Sequence, residues 1–346
     1  MNTTRPNTRL GDLSVAFTHS IAAAIAQQGY CSIALFERFE LTPERLAQAH
    51  ARLSIPRYMR LGHAAIELTG NPALGLVMGE QSMLTHLGLA GVTAAQAPTV
   101  RAAARCISRF EPLYAQNYRG TSQLLEDNDG AWFSFYSIAP YNAYNYFVIE
   151  SVLLGWINHL RQVCQCDIDI ELLQIEFPEP PYAAAYAEQL NCPIEFNAKH
   201  NRIRLSQKSL ALNNPQHCTS TWHILQQLCE EQLALKTRSH SLIEQVSQLI
   251  APVLKNGEPN IKQIAQKLPL PEWTLRRKLA AQRTQFRLLR NQTRFDLASS
   301  YIRDTELTFG EISWLLGFSS PEAFQRAFKR WAQQTPGQFR NTIARR

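Results

Sequence analysis

Two segments near the carboxyl end carry hydrogen-bonding side chains in a repeated arrangement. Residues 260–279 and 308–328 share their apolar positions, at an offset of 48 residues before a turn and 49 after it. The apolar residues of two short helices can face each other in each segment, which leaves the outer face of the second helix polar. Such a helix fits the major groove of DNA, where Arg and Gln hydrogen-bond base edges. The side chains predicted on these outer faces include Arg276, Arg277, Gln325 and Arg326.

Both segments open on a pattern that is typical of a helix start. Asn260-Ile-Lys-Gln263 and Thr308-Phe-Gly-Glu311 are predicted capping boxes. Between the segments, residues 286–302 form a predicted helix that would fix the distance between the two reading helices. The pair could then enter successive major-groove segments, about 34 Å apart, on one face of the duplex. The arginines of the connecting helix that are spaced to project together are Arg287, Arg290 and Arg294.

The charge of the chain is distributed unevenly. Residues 240–346 contain 17 Lys/Arg and 8 Asp/Glu, whereas residues 1–239 contain 18 and 20, and the net charge is +7. All of the excess positive charge therefore lies in the last third. This asymmetry predicts a polyanion-binding end attached to a nearly neutral body.

Other chemistry has little support in the sequence. The seven cysteines, including Cys164 and Cys166, form neither a paired disulfide framework nor a zinc spacing, which favours a reducing, cytoplasmic compartment. The nine histidines lack the H-E-x-x-H spacing, and neither a nucleophile elbow nor a carboxylate pair is present. We therefore expect no cofactor, no metal and no enzyme activity. The most apolar stretch, residues 144–163, is interrupted by charged residues, so we expect no membrane-spanning segment.

The first two thirds of the chain predict helices packed on a small sheet. Thr42 is a predicted N-cap with Pro43 at the first helical position. Asn128-Asp129-Gly130 predicts a tight hairpin, and Ile194–Asn197 with Arg202–Leu205 predicts a second one. The expected fold class is an α+β N-terminal domain followed by an all-α domain with two helix-turn-helix units.

The carboxyl-terminal third resembles the AraC/XylS transcription regulators. The residues that carry the resemblance are Glu311-Ile-Ser-Trp-Leu-Leu-Gly-Phe-Ser-Ser-Pro-Glu-Ala-Phe-Gln-Arg-Ala-Phe-Lys-Arg-Trp331, followed by Thr335-Pro-Gly-Gln-Phe-Arg340. Upstream, His86-Leu-Gly-Leu-Ala-Gly91 is similar to the so-called arabinose-binding domain of ornithine-utilisation-type regulators. The domain boundaries that follow are 1–235 for an effector-binding and dimerisation domain, 236–243 for a linker, and 244–346 for DNA binding, with helix-turn-helix units at 260–282 and 308–331.

The resemblance also implies which residues contact DNA. The base-contacting positions of the family fall on Trp273, Arg276, Arg277, Pro321, Glu322, Ala323, Gln325 and Arg326. Of these, Pro321 and Ala323 supply no hydrogen-bonding side chain. The expected phosphate contacts are Arg290, Lys329 and Arg330. Pro269 replaces a family glycine in the first turn and Pro271 replaces a capping serine, so we expect that turn to differ in geometry.

These features together predict a sequence-specific transcription regulator that a small-molecule effector controls. Double-stranded DNA, the effector, RNA polymerase and a second copy of the chain are the expected partners. Two alternatives stay open: an N-terminal domain that mediates only protein contacts, and an enzyme domain of the alkyl-transfer repair type. An aromatic cluster predicts the effector pocket, although core packing also explains it, and its pocket candidates are Trp132, Phe135, Tyr144 and Phe147.

Overall fold

The computed structural model describes residues 11–117, 121–136, 141, 145–238, 241–305 and 307–344. These residues divide into two compact units, one spanning Asp12–Leu235 and the other containing Lys236–Arg346. Most residues of the predicted linker at 236–243 are themselves helical, because one helix ends at Arg238 and the next begins at Leu242. The described residues include no helix long and apolar enough to cross a membrane.

The first unit combines helices with two small sheets. Its helices are α1 (Thr18–Gln27), α2 (Ile33–Arg38), α3 (Pro43–Leu46), α4 (Ile55–Thr69), α5 (Leu74–Glu80), α6 (Gly88–Ala95), α7 (Val100–Arg109), α8 (Glu111–Tyr114), α9 (Tyr146–Cys164), α10 (Ala184–Gln189), α11 (Gln207–Leu210) and α12 (Thr219–Arg238). Its strands are β1 (Gly11–Ser14), β2 (Arg52–Ser54), β3 (Ala115–Asn117), β4 (Gln123–Glu126), β5 (Gly130–Phe135), β6 (Ile170–Gln174), β7 (Ile194–Glu195) and β8 (Asn201–Ser206). Short 3-10 helices span Val15–Phe17 and Leu84–Leu87.

Local signals in the sequence set several of these elements. The Thr42 hydroxyl accepts a hydrogen bond from the Arg45 amide, with Pro43 in the first turn of α3, as predicted. Strands β4 and β5 form the predicted antiparallel hairpin, and the Asp127 carboxylate accepts hydrogen bonds from the amides of Asp129 and Gly130 in its turn. Strand β6 contains a bulge, because its pairing with β8 shifts between Ile170 and Leu172.

The second predicted hairpin is wrong. The strand order of the larger sheet is β4-β5-β8-β6-β7, so β7 and β8 are not neighbours. Instead, β8 lies between β5 and β6 and is antiparallel to both, while β7 pairs in parallel with the far edge of β6. The central position of β8 lets the side chains of Ile203 and Leu205 become fully buried, which a two-stranded hairpin could not provide.

The long helix α9 is central to the packing of the first unit. Gly75 and Gly79 of α5 face it so closely that a Cβ atom at either position would collide with the Glu150 or Leu154 region. One apolar cluster lies between α9 and the five-stranded sheet, and another lies among α1, α4 and α5. Since Phe147 of α9 belongs to the second cluster and Ile149 to the first, α9 joins the two cores.

The second unit is all helical in its described residues. It contains α13 (Leu242–Ile250), a 3-10 helix (Ala251–Asn256), α14 (Ile261–Lys267), α15 (Glu272–Ala281), α16 (Phe286–Asp304), α17 (Phe309–Leu315), α18 (Pro321–Ala332) and α19 (Pro336–Ala344). Both predicted capping boxes are present, with Asn260 and Thr308 as the N-caps of α14 and α17. The structure therefore has the expected fold class, an α+β unit followed by an all-α unit.

Candidate nucleic-acid interface and candidate ligand cavity

Helix α15 is the second helix of the first helix-turn-helix unit. Its apolar residues Leu275 and Leu279 are buried, so the opposite face turns outward. Trp273 is 63% exposed on that face. The guanidinium carbon of Arg277 lies 5.1 Å from the centroid of the Trp273 ring. Arg276 is also exposed but forms an ion pair with Glu272, at 2.7 Å between Nη2 and Oε1. The three predicted base-contact residues of this unit therefore share one accessible face.

The turn that precedes α15 shares one hydrogen bond with the turn of the second helix-turn-helix unit but differs from it at Pro269, as expected. The Leu270 amide donates to the Ala265 carbonyl oxygen at 3.1 Å, and the matching bond in the second helix-turn-helix unit joins Phe318 to Ser313 at 3.0 Å. The two turns thus share the same closing hydrogen bond. Pro269 occupies the position of Gly317 at a φ of 21°, outside the range near −65° that its ring favours. The N-cap Pro271 provides no side-chain hydrogen bond to α15.

Helix α18 is the second helix of the other helix-turn-helix unit, and it has one buried apolar face and one exposed polar face. The Ser320 hydroxyl caps it by accepting from the Ala323 amide at 3.2 Å. Phe324 and Phe328 are fully buried, and Ala327 packs beside them. The same hydroxyl, with a smaller contribution from Arg326, lowers the pKa of the Glu322 carboxyl. The side chains exposed along the outer face are Glu322, Gln325, Arg326, Lys329 and Arg330.

The arginines of α16 do not project together as predicted. Arg287 is exposed, but Arg290 turns toward Glu258 with 2.6 Å between Nη2 and Oε1, and it also donates to the Pro259 carbonyl oxygen. Arg294 is buried and donates to the carbonyl oxygens of Leu316 and Gly317. These two inward arginines therefore hydrogen-bond within the domain. The phosphate contact expected for Arg290 does not fit this position.

A cavity of about 110 Å³ lies inside the first unit. Its walls come from α1, α4, α8, α9, β5 and adjoining segments, and residues of both apolar cores line it. Most of the surface is apolar, with a few hydroxyl, amide and carboxyl groups. The residues that line it are Leu13, Phe17, Ser20, Ile55, Tyr58, Met59, Ser82, Leu87, Glu111, Tyr114, Ala115, Asn117, Phe135, Asn145, Val148, Ser151, Val152, Gly155, Trp156 and His159.

Of the four predicted pocket residues, Phe135 lines this cavity. Side chains alternate between the two faces of a strand, and Phe133 stacks on Trp156 of α9 with ring centroids 3.7 Å apart. Phe135 shares that face, whereas Trp132 faces the other way, with the Arg202 guanidinium carbon 3.6 Å from its ring centroid. The prediction that Trp132 lines this cavity is therefore incorrect.

The other two pocket candidates have different positions. Phe147 is buried in the core, where its ring leaves no room for a Cβ atom on Gly62, so it packs α9 against α4 rather than lining the cavity. Tyr144 lies outside the described residues. The sequence analysis did not identify Trp156 or Glu111, because Trp156 is one of many apolar residues of α9 and no motif surrounds Glu111.

Glu111 is the carboxyl group of the cavity lining. Its Oε1 accepts from the Ser122 hydroxyl and its Oε2 from the Ser122 amide, both at 2.7 Å. Burial raises the pKa of Glu111 to about 7, although the Ser122 hydrogen bonds act in the opposite direction. His159, also in the lining, bonds through Nε2 to the Ser82 hydroxyl at 2.9 Å, and burial lowers its pKa to about 3. The imidazole is thus neutral near pH 7.

A second buried carboxyl lies on α9 outside the lining. Oε1 of Glu150 accepts hydrogen bonds from the hydroxyls of Tyr182 and Tyr186, at 2.8 and 2.7 Å. Its Oε2 has no hydrogen-bond partner among the described residues. Burial raises the pKa of Glu150 to about 7, and the two tyrosine hydrogen bonds lower it by less.

The cysteines occupy varied surroundings. All seven are free, and Cys106 and Cys229 are buried in the core. Cys164 is the last residue of α9, and its thiol donates to the Leu160 carbonyl oxygen one turn earlier, at 3.2 Å. Across the described ranges, no group of three or more His, Cys, Asp or Glu side chains is arranged to hold a metal ion.

Two family models match the chain, one in its N-terminal region and one in its C-terminal region. A family model described as the arabinose-binding domain of AraC transcription regulators, N-terminal, matches residues 29–214. A helix-turn-helix domain model matches residues 264–342. The first match covers more than half of the chain, and the second covers α15, α16, α17 and α18 in full.

Curated relatives resemble the chain along most of its length. An ornithine utilization regulator of Pseudomonas aeruginosa is 27% identical over 336 residues, which cover 94% of this chain and 95% of that protein. The transcriptional regulator VirS of Mycobacterium tuberculosis is 23% identical over 303 residues, with 88% of each chain covered. These relatives are transcription regulators rather than enzymes.

A solved structure also aligns with most of the chain. The transcriptional regulator CdpR of Pseudomonas aeruginosa aligns over 89% of this chain and 96% of its own, at 19% identity and a TM-score of 0.44. The assignment to a family follows from the two family models, which match residues 29–214 and 264–342. The chain is a DNA-binding helix-turn-helix protein and belongs to the AraC family of transcription regulators.

Proposed function

We propose that the chain regulates transcription in response to a small molecule that binds in the cavity of the first unit. The observation that carries this proposal is the cavity of about 110 Å³, whose lining residues come from both apolar cores. Ligand pockets are concave, mostly apolar and furnished with a few polar groups, and this cavity has that character. An effector acts by binding one arrangement of the protein more tightly than another.

The outer faces of α15 and α18 are the proposed DNA-reading surfaces. Arg277, Gln325 and Arg326 are exposed and have the side chains that bond base edges, with Trp273, Arg276 and Glu322 beside them. Lys329 and Arg330 follow on α18 and are the proposed phosphate contacts. Arg290 is not a proposed phosphate contact, because its side chain is only 16% exposed and pairs with Glu258, whereas the paired Arg276 is 62% exposed.

Binding to promoter fragments tests the reading surfaces. Arg326→Ala should cost about 1–3 kcal/mol on a specific fragment and little on random DNA, because a base contact is lost. Lys329→Ala, one turn along the same helix, should weaken both by a similar factor and reduce the salt slope by about 1. Fluorescence anisotropy at several salt concentrations measures both quantities. Equal losses on specific and random DNA for Arg326→Ala would contradict the assignment.

Effector binding is tested on the full chain with a metabolite panel. Ornithine belongs in that panel because the name of one relative refers to its utilization. A compound that raises the melting temperature and changes the affinity for a promoter fragment would support the proposal. If the first unit mediates only protein contacts, no compound in the panel will both raise the melting temperature and change the affinity for the promoter fragment. In that case the Val152→Trp substitution, which fills the cavity, will also leave regulation unchanged.

Dimerisation is a second proposed property, and an exposed apolar stripe on α12 supports it. Ile224, Leu228 and Leu235 are 61%, 41% and 59% exposed and recur at helical spacing. A second copy of the chain is the proposed occupant. Sedimentation velocity should show a dimer that Leu228→Glu weakens, whereas Glu230→Gln, on another face of the same helix, should not. RNA polymerase as a partner and a cytoplasmic location are supported by family membership alone.

A further inference from the structure

The carboxyl group of Glu111 has no cationic partner in the described structure. Both of its oxygens accept hydrogen bonds, but the two donors belong to Ser122 and are neutral. The residue is 7% exposed and lines the cavity. A buried carboxylate without a positive partner is unfavourable, and each of its oxygens can accept a further hydrogen bond.

The rest of the described lining is uncharged. It contains neither lysine nor arginine, and His159 is kept neutral by burial. Glu150, the other buried carboxyl of α9, is not in the lining, and two tyrosine hydroxyls already occupy its Oε1. The cavity therefore offers a site for positive charge at Glu111, and its described residues offer none for negative charge.

Aromatic rings form much of the remaining wall. Phe135 meets Trp156 edge to face at 5.9 Å between centroids, and Phe17 lies 5.9 Å from Tyr114. Aromatic faces attract a nearby cation and also pack against hydrocarbon. The volume of about 110 Å³ is of the order of an apolar cavity that holds benzene. A ligand with one ring or a short branched chain is the size that fits.

We propose that the effector is a small organic amine, whose ammonium group pairs with the Glu111 carboxylate while its hydrocarbon body packs among Phe17, Phe135 and Trp156. This inference rests on the proposed function, because it names the chemistry of the molecule that the cavity would bind. An ammonium supplies up to three donors for the free lone pairs of Glu111. A carboxylate ligand of the same size would instead face Glu111 without any cation among the described lining residues.

Three compounds that differ in charge but little in size test the assignment. Benzylamine, benzyl alcohol and benzoate are titrated into the full chain by isothermal calorimetry near pH 7.5. We expect benzylamine to bind about tenfold tighter than benzyl alcohol or more, and benzoate to bind more weakly than both. Glu111→Gln should remove the advantage of the amine over the alcohol, whereas Glu37→Gln, at an exposed position, should preserve it.

The filled-cavity variant separates this inference from the broader proposal. Val152→Trp should abolish binding of the amine and the alcohol together, because it occupies the space rather than the charge site. Tighter binding of benzoate or benzyl alcohol than of benzylamine, with loss in Val152→Trp, would overturn the amine assignment and leave an effector cavity. Absence of benzylamine binding to the unmodified chain would also overturn it, and the metabolite panel would then decide on the cavity. If Glu111→Gln does not fold, the ranking of the three compounds and Val152→Trp still decide.

Discussion

Arg294, on the helix that connects the two helix-turn-helix units, donates its Nε hydrogen to the backbone carbonyl oxygen of Leu316 at 3.1 Å. The same guanidinium reaches the Gly317 carbonyl oxygen and lies 5.1 Å from the ring centroid of Phe318. The carbonyl groups at the end of α17 lack partners within their own helix, and Arg294 supplies them from α16. One side chain thus ties the connecting helix to the turn of the second helix-turn-helix unit.

Replacing Arg294 by Met should destabilise the DNA-binding domain without a specific effect on DNA contacts. The buried charge-assisted bonds are lost and the Leu316 and Gly317 carbonyl groups are left unpaired, so we expect a loss of about 2–3 kcal/mol in the free energy of unfolding. Urea unfolding measures this loss. Arg287→Met, on an exposed position of the same helix, should change stability by no more than about 0.5 kcal/mol. A stable Arg294→Met protein with a reduced salt slope of DNA binding would instead make Arg294 a phosphate contact.

Pro269→Gly should stabilise the chain, although glycine usually increases the entropy of the unfolded state. A proline at a φ of 21° is strained by about 1–3 kcal/mol, against an entropic cost of about 0.4–1 kcal/mol for the glycine. Gly317, at the matching place of the second helix-turn-helix unit, adopts a φ of 67° and donates its amide to Trp314. We expect a higher melting temperature by thermal unfolding, through a gain of about 1 kcal/mol.

A substitution of the matching glycine, Gly317→Ala, provides the control for Pro269→Gly. Gly317→Ala should lower the melting temperature, because its Cβ atom would collide with the Leu254 carbonyl oxygen. A lower melting temperature for both variants would mean that Pro269 is relaxed in its turn.

The buried carboxyl of Glu150 should make stability decrease as the pH rises from about 4.5 to about 7. Burial raises its pKa in the folded protein from 4.5 to about 7, so over this range the folded state binds more protons than the unfolded state. The slope is at most about 1.4 kcal/mol per pH unit for one group. Glu150→Gln cannot ionise and should flatten the curve in urea unfolding across this range, while keeping acceptors for the two tyrosine hydroxyls.

Glu111 contributes a slope of the same sign, since burial raises its pKa to about 7 as well. Glu150→Gln should therefore remove part of the pH dependence and leave the rest. Glu37→Gln, at an exposed carboxyl, is the matched control and should leave the curve unchanged. An unaltered slope in Glu150→Gln would show that this carboxyl ionises in the folded protein as easily as in the unfolded chain.

The exposed thiol of Cys218 should be alkylated before the other six cysteines. Hydrogen bonds from the hydroxyls of Ser220 and Thr221, at 3.4 and 3.2 Å, lower its pKa to about 7, with Ser220 the larger cause. The thiolate is the reactive form, so a lower pKa at an accessible site increases the rate near pH 7. Iodoacetamide labelling followed by peptide mapping measures the order.

Thr221→Val keeps the shape of the neighbouring side chain but removes its hydroxyl. The Cys218 labelling rate should decrease in this variant near pH 7 and recover at a higher pH. The exposed Cys31 provides an internal reference in the same sample. Faster labelling of Cys31 than of Cys218 would contradict the expectation.

The sequence by itself determined the features that depend on neighbours along the chain. The capping boxes at Asn260 and Thr308, the hairpin turn at Asp127–Gly130 and the buried face of α18 follow from hydrogen bonds and periodicity within a few residues. These local interactions are encoded in short segments, so the residue pattern alone locates both helix-turn-helix units and matches one to the other. The polar outer faces that would read DNA follow from the same periodicity.

The tertiary structure decided the features that need partners distant in sequence. The parallel pairing of β7 with β6, the inward turn of Arg290 and Arg294 and the outward face of Trp132 each depend on segments tens of residues away. The cavity depends on such packing most strongly, because Glu111 meets walls from α1, α4, α9 and β5 only after the two cores assemble. A void is set by how whole elements fit together, and short-range patterns in a sequence do not encode that fit.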